Sequence, residues 1–117
     1  MKSVNGGAGW QAPKTLSGNT GSADAGSPAL AAAGSGVYVV WAEDTPGNDE
    51  IYFRRSTNGG VAWQEPVRLT TNAGASVTPA VAALGAAVYV AWSDAGPGNQ
   101  EIYFRMSADQ GAAWQPG

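Results

Sequence analysis

Apolar residues along this chain come in short unbroken runs separated by Gly, Pro, Asn and Asp. Val37-Tyr38-Val39-Val40-Trp41 and Ile51-Tyr52-Phe53 are β-branched and aromatic, a composition that predicts strands. Four are expected in succession: Pro28 to Ala33, Gly36 to Glu43, Glu50 to Ser56 and Val61 to Thr70. The pattern returns near Pro79 to Leu84, Ala86 to Asp94, Glu101 to Ser107 and from Ala112 onward. Continuous rather than alternating apolarity predicts sheets covered on both faces. No segment has a helical period, and Ala29 to Ala33 is too short and too close to Gly34 to make one. The fold class expected is all-β.

The second set of runs is a copy of the first. Val37 to Trp41 returns as Val88-Tyr89-Val90-Ala91-Trp92, and Ile51 to Arg54 as Ile102 to Arg105, each 51 residues on. Pro46-Gly47-Asn48 returns as Pro97-Gly98-Asn99 in the same register. Ser3 to Pro13 reads like Ser56 to Pro66, 53 residues earlier. Internal repeats of this length are the mark of stacked units that cannot bury their faces alone.

Between the third and fourth predicted strands stands Ser-x-Asp/Asn-x-Gly-x-x-Trp, three times: Ser3-Asn5-Gly7-Trp10, Ser56-Asn58-Gly60-Trp63 and Ser107-Asp109-Gly111-Trp114. Short Ser, Asp and Asn side chains bond nearby backbone N–H groups and replace ladder bonds lost at a bend. Gly supplies a positive φ, and Trp anchors the hairpin by its apolar surface. These residues resemble the Asp-box, or bacterial neuraminidase repeat, of sialidases and many non-catalytic β-propellers. The resemblance covers nearly the whole chain and implies a β-propeller of four-stranded blades, with the box a structural turn at the outer rim. On that basis 18–70 is a first blade and 71–117 a second with a truncated outer strand. Residues 1–17 are then an outer strand donated to a neighbouring blade. Two blades do not close, so the chain is expected to assemble with itself. A homotrimer of six blades is favoured, and a dimer or tetramer is the alternative.

Composition narrows the chemistry. Only 13% of residues are charged, the net charge is −3, and six Lys and Arg are scattered along the chain, which excludes the basic patch a nucleic-acid partner needs. The sequence has no Cys and no His, so thiolate sites and the commonest general base are missing. No run is long enough for a membrane-spanning helix, and Met1 to Gly7 lacks the apolar core of a signal peptide. The compartment is not indicated, although the resembling families are often secreted or at the cell surface. No cofactor is implied.

Three functional readings follow. Sialidases imply an arginine cluster, a Tyr–Glu nucleophile pair and an acid/base Asp; here Arg54 and Arg105 abut structural turns, and no catalytic residue is carried over. Glu43, Asp44, Asn48, Asp49 and Glu50 supply oxygen atoms of the kind calcium takes. Their counterparts Asp94, Asn99, Gln100 and Glu101 have lost two carboxylates, which favours a solvated hairpin loop and no metal. Among aromatic residues, Trp41 and Trp92, followed by Glu43 and Asp94, are the candidates for a carbohydrate pocket. The leading reading is a non-enzymatic, self-assembling scaffold, a fragment or engineered duplication. A carbohydrate-binding, lectin-like propeller is the alternative, and a sialidase-related glycosidase comes third.

Overall fold

The computed structural model describes residues 1–13, 15–17, 25–44, 48–71, 74–96 and 98–115. Its strands are β1 (Ala25–Ala33), β2 (Gly36–Glu43), β3 (Glu50–Ser56), β4 (Val67–Arg68), β5 (Ser76–Leu84), β6 (Ala87–Asp94) and β7 (Glu101–Ser107). They form two antiparallel meanders, β1-β2-β3-β4 and β5-β6-β7. The described residues contain no helix, and the all-β expectation holds.

The two sheets share a register. Val40 pairs with Phe53 and Trp41 with Tyr52, just as Ala91 pairs with Phe104 and Trp92 with Tyr103. Because side chains alternate along a strand, each sheet has two distinct faces. One carries Tyr38, Val40, Ala42, Ile51 and Phe53, with the counterparts Tyr89, Ala91, Ser93, Ile102 and Phe104; we call it the Tyr face. The other carries Val37, Val39 and Trp41, with the counterparts Val88, Val90 and Trp92; we call it the Trp face. The core lies where the Tyr face of the first sheet meets the Trp face of the second. Tyr38, Val40, Ala42, Ile51, Phe53 and Leu69 pack there on Val88, Val90 and Trp92. Small residues on β1 and β5, Ala29 and Ala83 among them, let these strands approach.

Equal sequences are therefore unequally buried. Ile51 and Phe53 are 0% and 1% exposed, whereas Ile102 and Phe104 are 77% and 52% exposed. Coverage on both faces holds for β2, all of whose residues but Val37 are buried. It fails for β6, which alternates between buried and half-buried, because only its Trp face has a sheet against it.

Several element boundaries differ from the sequence reading. Val61 to Thr70 contributes only the two-residue β4, since Val61 and Ala62 belong to the preceding turn: their N–H groups bond Asn58 O and Asn58 Oδ1. Pro66, with no N–H, then delays the ladder. β1 and β5 begin before Pro28 and Pro79, reaching back through irregularities between Gly26 and Ala29 and between Val77 and Ala80. Ser27 and Thr78 take positive φ values of 51° and 49° there, so the prolines sit in bulges, not at strand starts. From Ala112 to Gln115 there is a turn and no strand. The described part of 1–17 likewise forms no strand within the chain. Pro46, Gly47 and Pro97 of the expected turns lie outside the described residues.

Candidate functional site

The three Ser-x-Asx-x-Gly-x-x-Trp segments make the same turn. Ser56 Oγ accepts the Gly60 N–H at 2.9 Å and donates to Asn58 Oδ1 at 2.8 Å, while Asn58 Oδ1 accepts the Ala62 N–H at 2.9 Å. Ser107 and Asp109 repeat this with Gly111 and Ala113, and Ser3 and Asn5 with Gly7 and Gly9. Gly7, Gly60 and Gly111 hold φ values of 89°, 89° and 87°, where side chains are disfavoured. The hydrogen bond from Ser107, then that from the Ala113 N–H, hold the Asp109 carboxyl below the usual carboxylate range.

Their Trp residues are not equally placed. Trp114 stands edge-on to Phe53, with ring centroids 4.8 Å apart. Trp63 is half-buried like Trp114 but has no such ring partner among the described residues, and Trp10 is 58% exposed. Gly111 explains why the turn meets the first sheet so closely: a Cβ there would lie 2.5 Å from the Phe53 ring.

Two of the three turns, those that follow β3 and β7, are clamped by an arginine. Arg54 Nε donates to Gln64 O at 2.7 Å and Nη1 to Leu16 O at 2.9 Å. Arg105 does the same with Gln115 O and Leu69 O, both at 2.9 Å. The arginines examined for carboxylate binding thus hold backbone carbonyls, one on their own turn and one on the segment stacked against it. Nothing in their sequence spacing revealed this second partner.

Trp41, Glu43, Trp92 and Asp94 form two separate pairs, one in each sheet. Trp41 Nε1 donates to Glu43 Oε1 at 2.9 Å, and Trp92 Nε1 to Asp94 Oδ2 at 3.1 Å. Asp94 also accepts from Ser76 Oγ at 2.7 Å and the Gly96 N–H at 2.7 Å. All four residues are buried, and the indoles stack on Tyr52 and Tyr103 at 6.0 and 6.3 Å. Burial, and then the Glu43 carboxylate, push the Tyr52 phenol up. Trp92 belongs to the core between the sheets. Trp41 instead borders a cavity of about 240 Å3 with Leu16, Ser17, Gly26, Pro28 and Val39.

The acidic loop has folded inward in part. Glu50, fully buried, accepts from Thr70 Oγ1 at 2.5 Å, Arg68 Nη2 at 3.1 Å and Asn48 Nδ2 at 3.2 Å. Thr70 Oγ1 also accepts the Ile51 N–H, so this cluster ties β3 to the segment after β4. The described residues include no group of three or more acidic side chains placed to hold a metal ion.

A larger cavity, about 510 Å3, lies between the N-terminal segment and the Trp face of the first sheet. Leu16, Leu30, Val37, Val39, Gly60 and Trp63 are among its walls. Comparison of the chain with protein-family models, with curated proteins and with solved structures gave no match.

Proposed function

We propose that the chain is a non-enzymatic, self-assembling β-propeller scaffold, in which copies join head to tail into a closed ring. The observation that carries this reading is the exposed Tyr face of the second sheet. Ile102 and Phe104 stand in solvent there, although their counterparts Ile51 and Phe53 are buried under the next sheet. Contiguous apolar patches of this kind mark interaction surfaces. The outer edge of β7 adds to it: among the described residues no strand pairs beside Tyr103 and Phe104, whereas β4 pairs beside Tyr52 and Phe53. Open edges of this sort recruit further strands. The three matching turns and the Asp-box resemblance support a propeller geometry, and two sheets per chain make a trimer of six blades the favoured ring. Native mass spectrometry tests it: the expected species is three chains of 11.8 kDa, and a lone chain at micromolar concentration contradicts it.

A carbohydrate-binding reading draws on the Trp41 wall of the smaller cavity. Repeated pockets on a ring would act through avidity. A glycan array tests this reading, and silence across the array removes it.

A further inference from the structure

Both halves of one joint lie on this chain, at opposite ends of the stack. Inside the chain, Phe53 and Tyr38 of the first sheet's Tyr face fill a recess in the second. Its walls are Leu69, Val88, Val90 and Trp114, with Val81 and Ala83 from β5. Advancing the walls of the larger cavity by one repeat turns Leu16, Leu30, Ala32, Val37, Val39 and Trp63 into Leu69, Val81, Ala83, Val88, Val90 and Trp114. The cavity of about 510 Å3 is thus the same recess with its aromatic plug missing. The plug is present at the far end: Phe104, stacked on Tyr89 at 6.2 Å as Phe53 is on Tyr38 at 6.1 Å, is 52% exposed.

The N-terminal segment is the second half of the match. It stands to the first sheet as the β4 segment stands to the second. Arg54 reaches Leu16 O as Arg105 reaches Leu69 O, both at 2.9 Å. Lys2 lies beside Gly59 and Gly60 as Arg55 lies beside Gln110 and Gly111. The Gln11 N–H bonds Lys2 O at 2.8 Å as the Gln64 N–H bonds Arg55 O at 2.9 Å. The segment therefore occupies the place of an outer strand of a sheet that is not among the described residues.

We infer that a second copy supplies that sheet: its Phe104 and Tyr89 enter the cavity walled by Leu30, Val37, Val39 and Trp63, and the N-terminal segment lies along its β7. This rests on the self-assembly reading and names its joint. The contact is heterologous, since plug and socket are different surfaces of one chain, so repetition closes a ring or extends a filament. It continues an interface the chain already makes between its own sheets.

The test uses two variants that each spoil one half. Phe104→Asp puts a carboxylate on the plug, and Leu30→Asp puts one in the socket; both positions are more than half exposed, at 52% and 64%, in the single chain. Native mass spectrometry at micromolar concentration should find the parent assembled and each variant alone at 11.8 kDa. Mixed one to one, the intact plug of Leu30→Asp and the intact socket of Phe104→Asp should give a single heterodimer of twice that mass. Near-ultraviolet circular dichroism reports whether each variant is folded; should Phe104→Asp unfold, Ile102→Lys on the same face, 77% exposed, replaces it. Folded variants that assemble like the parent, or a mixture that stays monomeric, overturn the joint and leave self-assembly standing. A monomeric parent overturns self-assembly itself.

Discussion

Asp109 and its two amide counterparts separate charge from geometry in one turn. Asn5, Asn58 and Asp109 accept the same backbone N–H at 2.8 to 2.9 Å, but only Asp109 titrates. Its folded carboxyl is held below the ordinary value by Ser107 and the Ala113 N–H. Its contribution is therefore present above about pH 4, the unfolded range, and is lost as pH falls through the depressed folded value. Thermal melts of Asp109→Asn should lose that acid-limb sensitivity while keeping the turn, and an unchanged limb would count against the assignment. Gly111 sets a steric limit in the same turn. Gly111→Ala combines a φ of 87° with a Cβ 2.5 Å from Phe53 and should cost well over about 1 kcal/mol, measured by urea unfolding. Trp114 is half-buried against Phe53, so Trp114→Ala should cost somewhat less than truncation of a fully buried aromatic, which costs about 3–5 kcal/mol. Trp63→Ala should cost less in dissociated chains, because its ring borders an open cavity. Equal losses for the two would indicate that the sockets are not as unequal as described.

At the scale of elements, the most constrained joint is that of β3 with the segment following β4. Thr70 Oγ1 donates to Glu50 and accepts from the Ile51 N–H, so Thr70→Val leaves two buried polar groups short of a partner. Each such loss costs about 1–3 kcal/mol, so urea unfolding should show Thr70→Val destabilised by at least that much. A midpoint equal to the parent's would contradict the assigned role. This cluster was not legible in the sequence. Arg68 and Thr70 lie 18 and 20 residues from Glu50, and a buried Glu50 looks in the sequence like its exposed copy Glu101. What the sequence did disclose were β2, β3 and β7, whose unbroken β-branched and aromatic runs end at turn residues; their bounds match the structure. It misled at Pro28 and Pro79, because a proline reads as a strand start although a bulge accommodates it here. It misled again at Val61 to Thr70, where turn hydrogen bonds take the backbone groups that a ladder needs. Trp41 and Trp92 were legible as aromatic–acid pairs, but not as buried ones: the carboxylates that suggested a pocket bind the indole N–H groups instead.

For the whole molecule, the repeat gives two equivalent sheets one shared contact; the Tyr face of the second sheet is left open, and the Trp face of the first is covered only in part, by the N-terminal segment. A lone chain exposes Leu30, Ile102 and Phe104 to water, and burying them against a second copy is favourable at about 25 cal/mol per Å2 of apolar area removed. The proposed ring also gives the N-terminal segment a role beyond packing on its own first sheet. Deleting residues 1–16 removes Leu16 O, the acceptor of Arg54, together with the segment that the proposed joint would lay along a neighbour's β7. The two sheets should remain folded by circular dichroism while the closed species disappears. The central claim, that the chain completes itself with its own copies, is tested most directly by native mass spectrometry of the unaltered chain at micromolar concentration. A single closed species of three times 11.8 kDa, undiminished by moderate dilution, is the predicted result; a folded species of 11.8 kDa alone would contradict it.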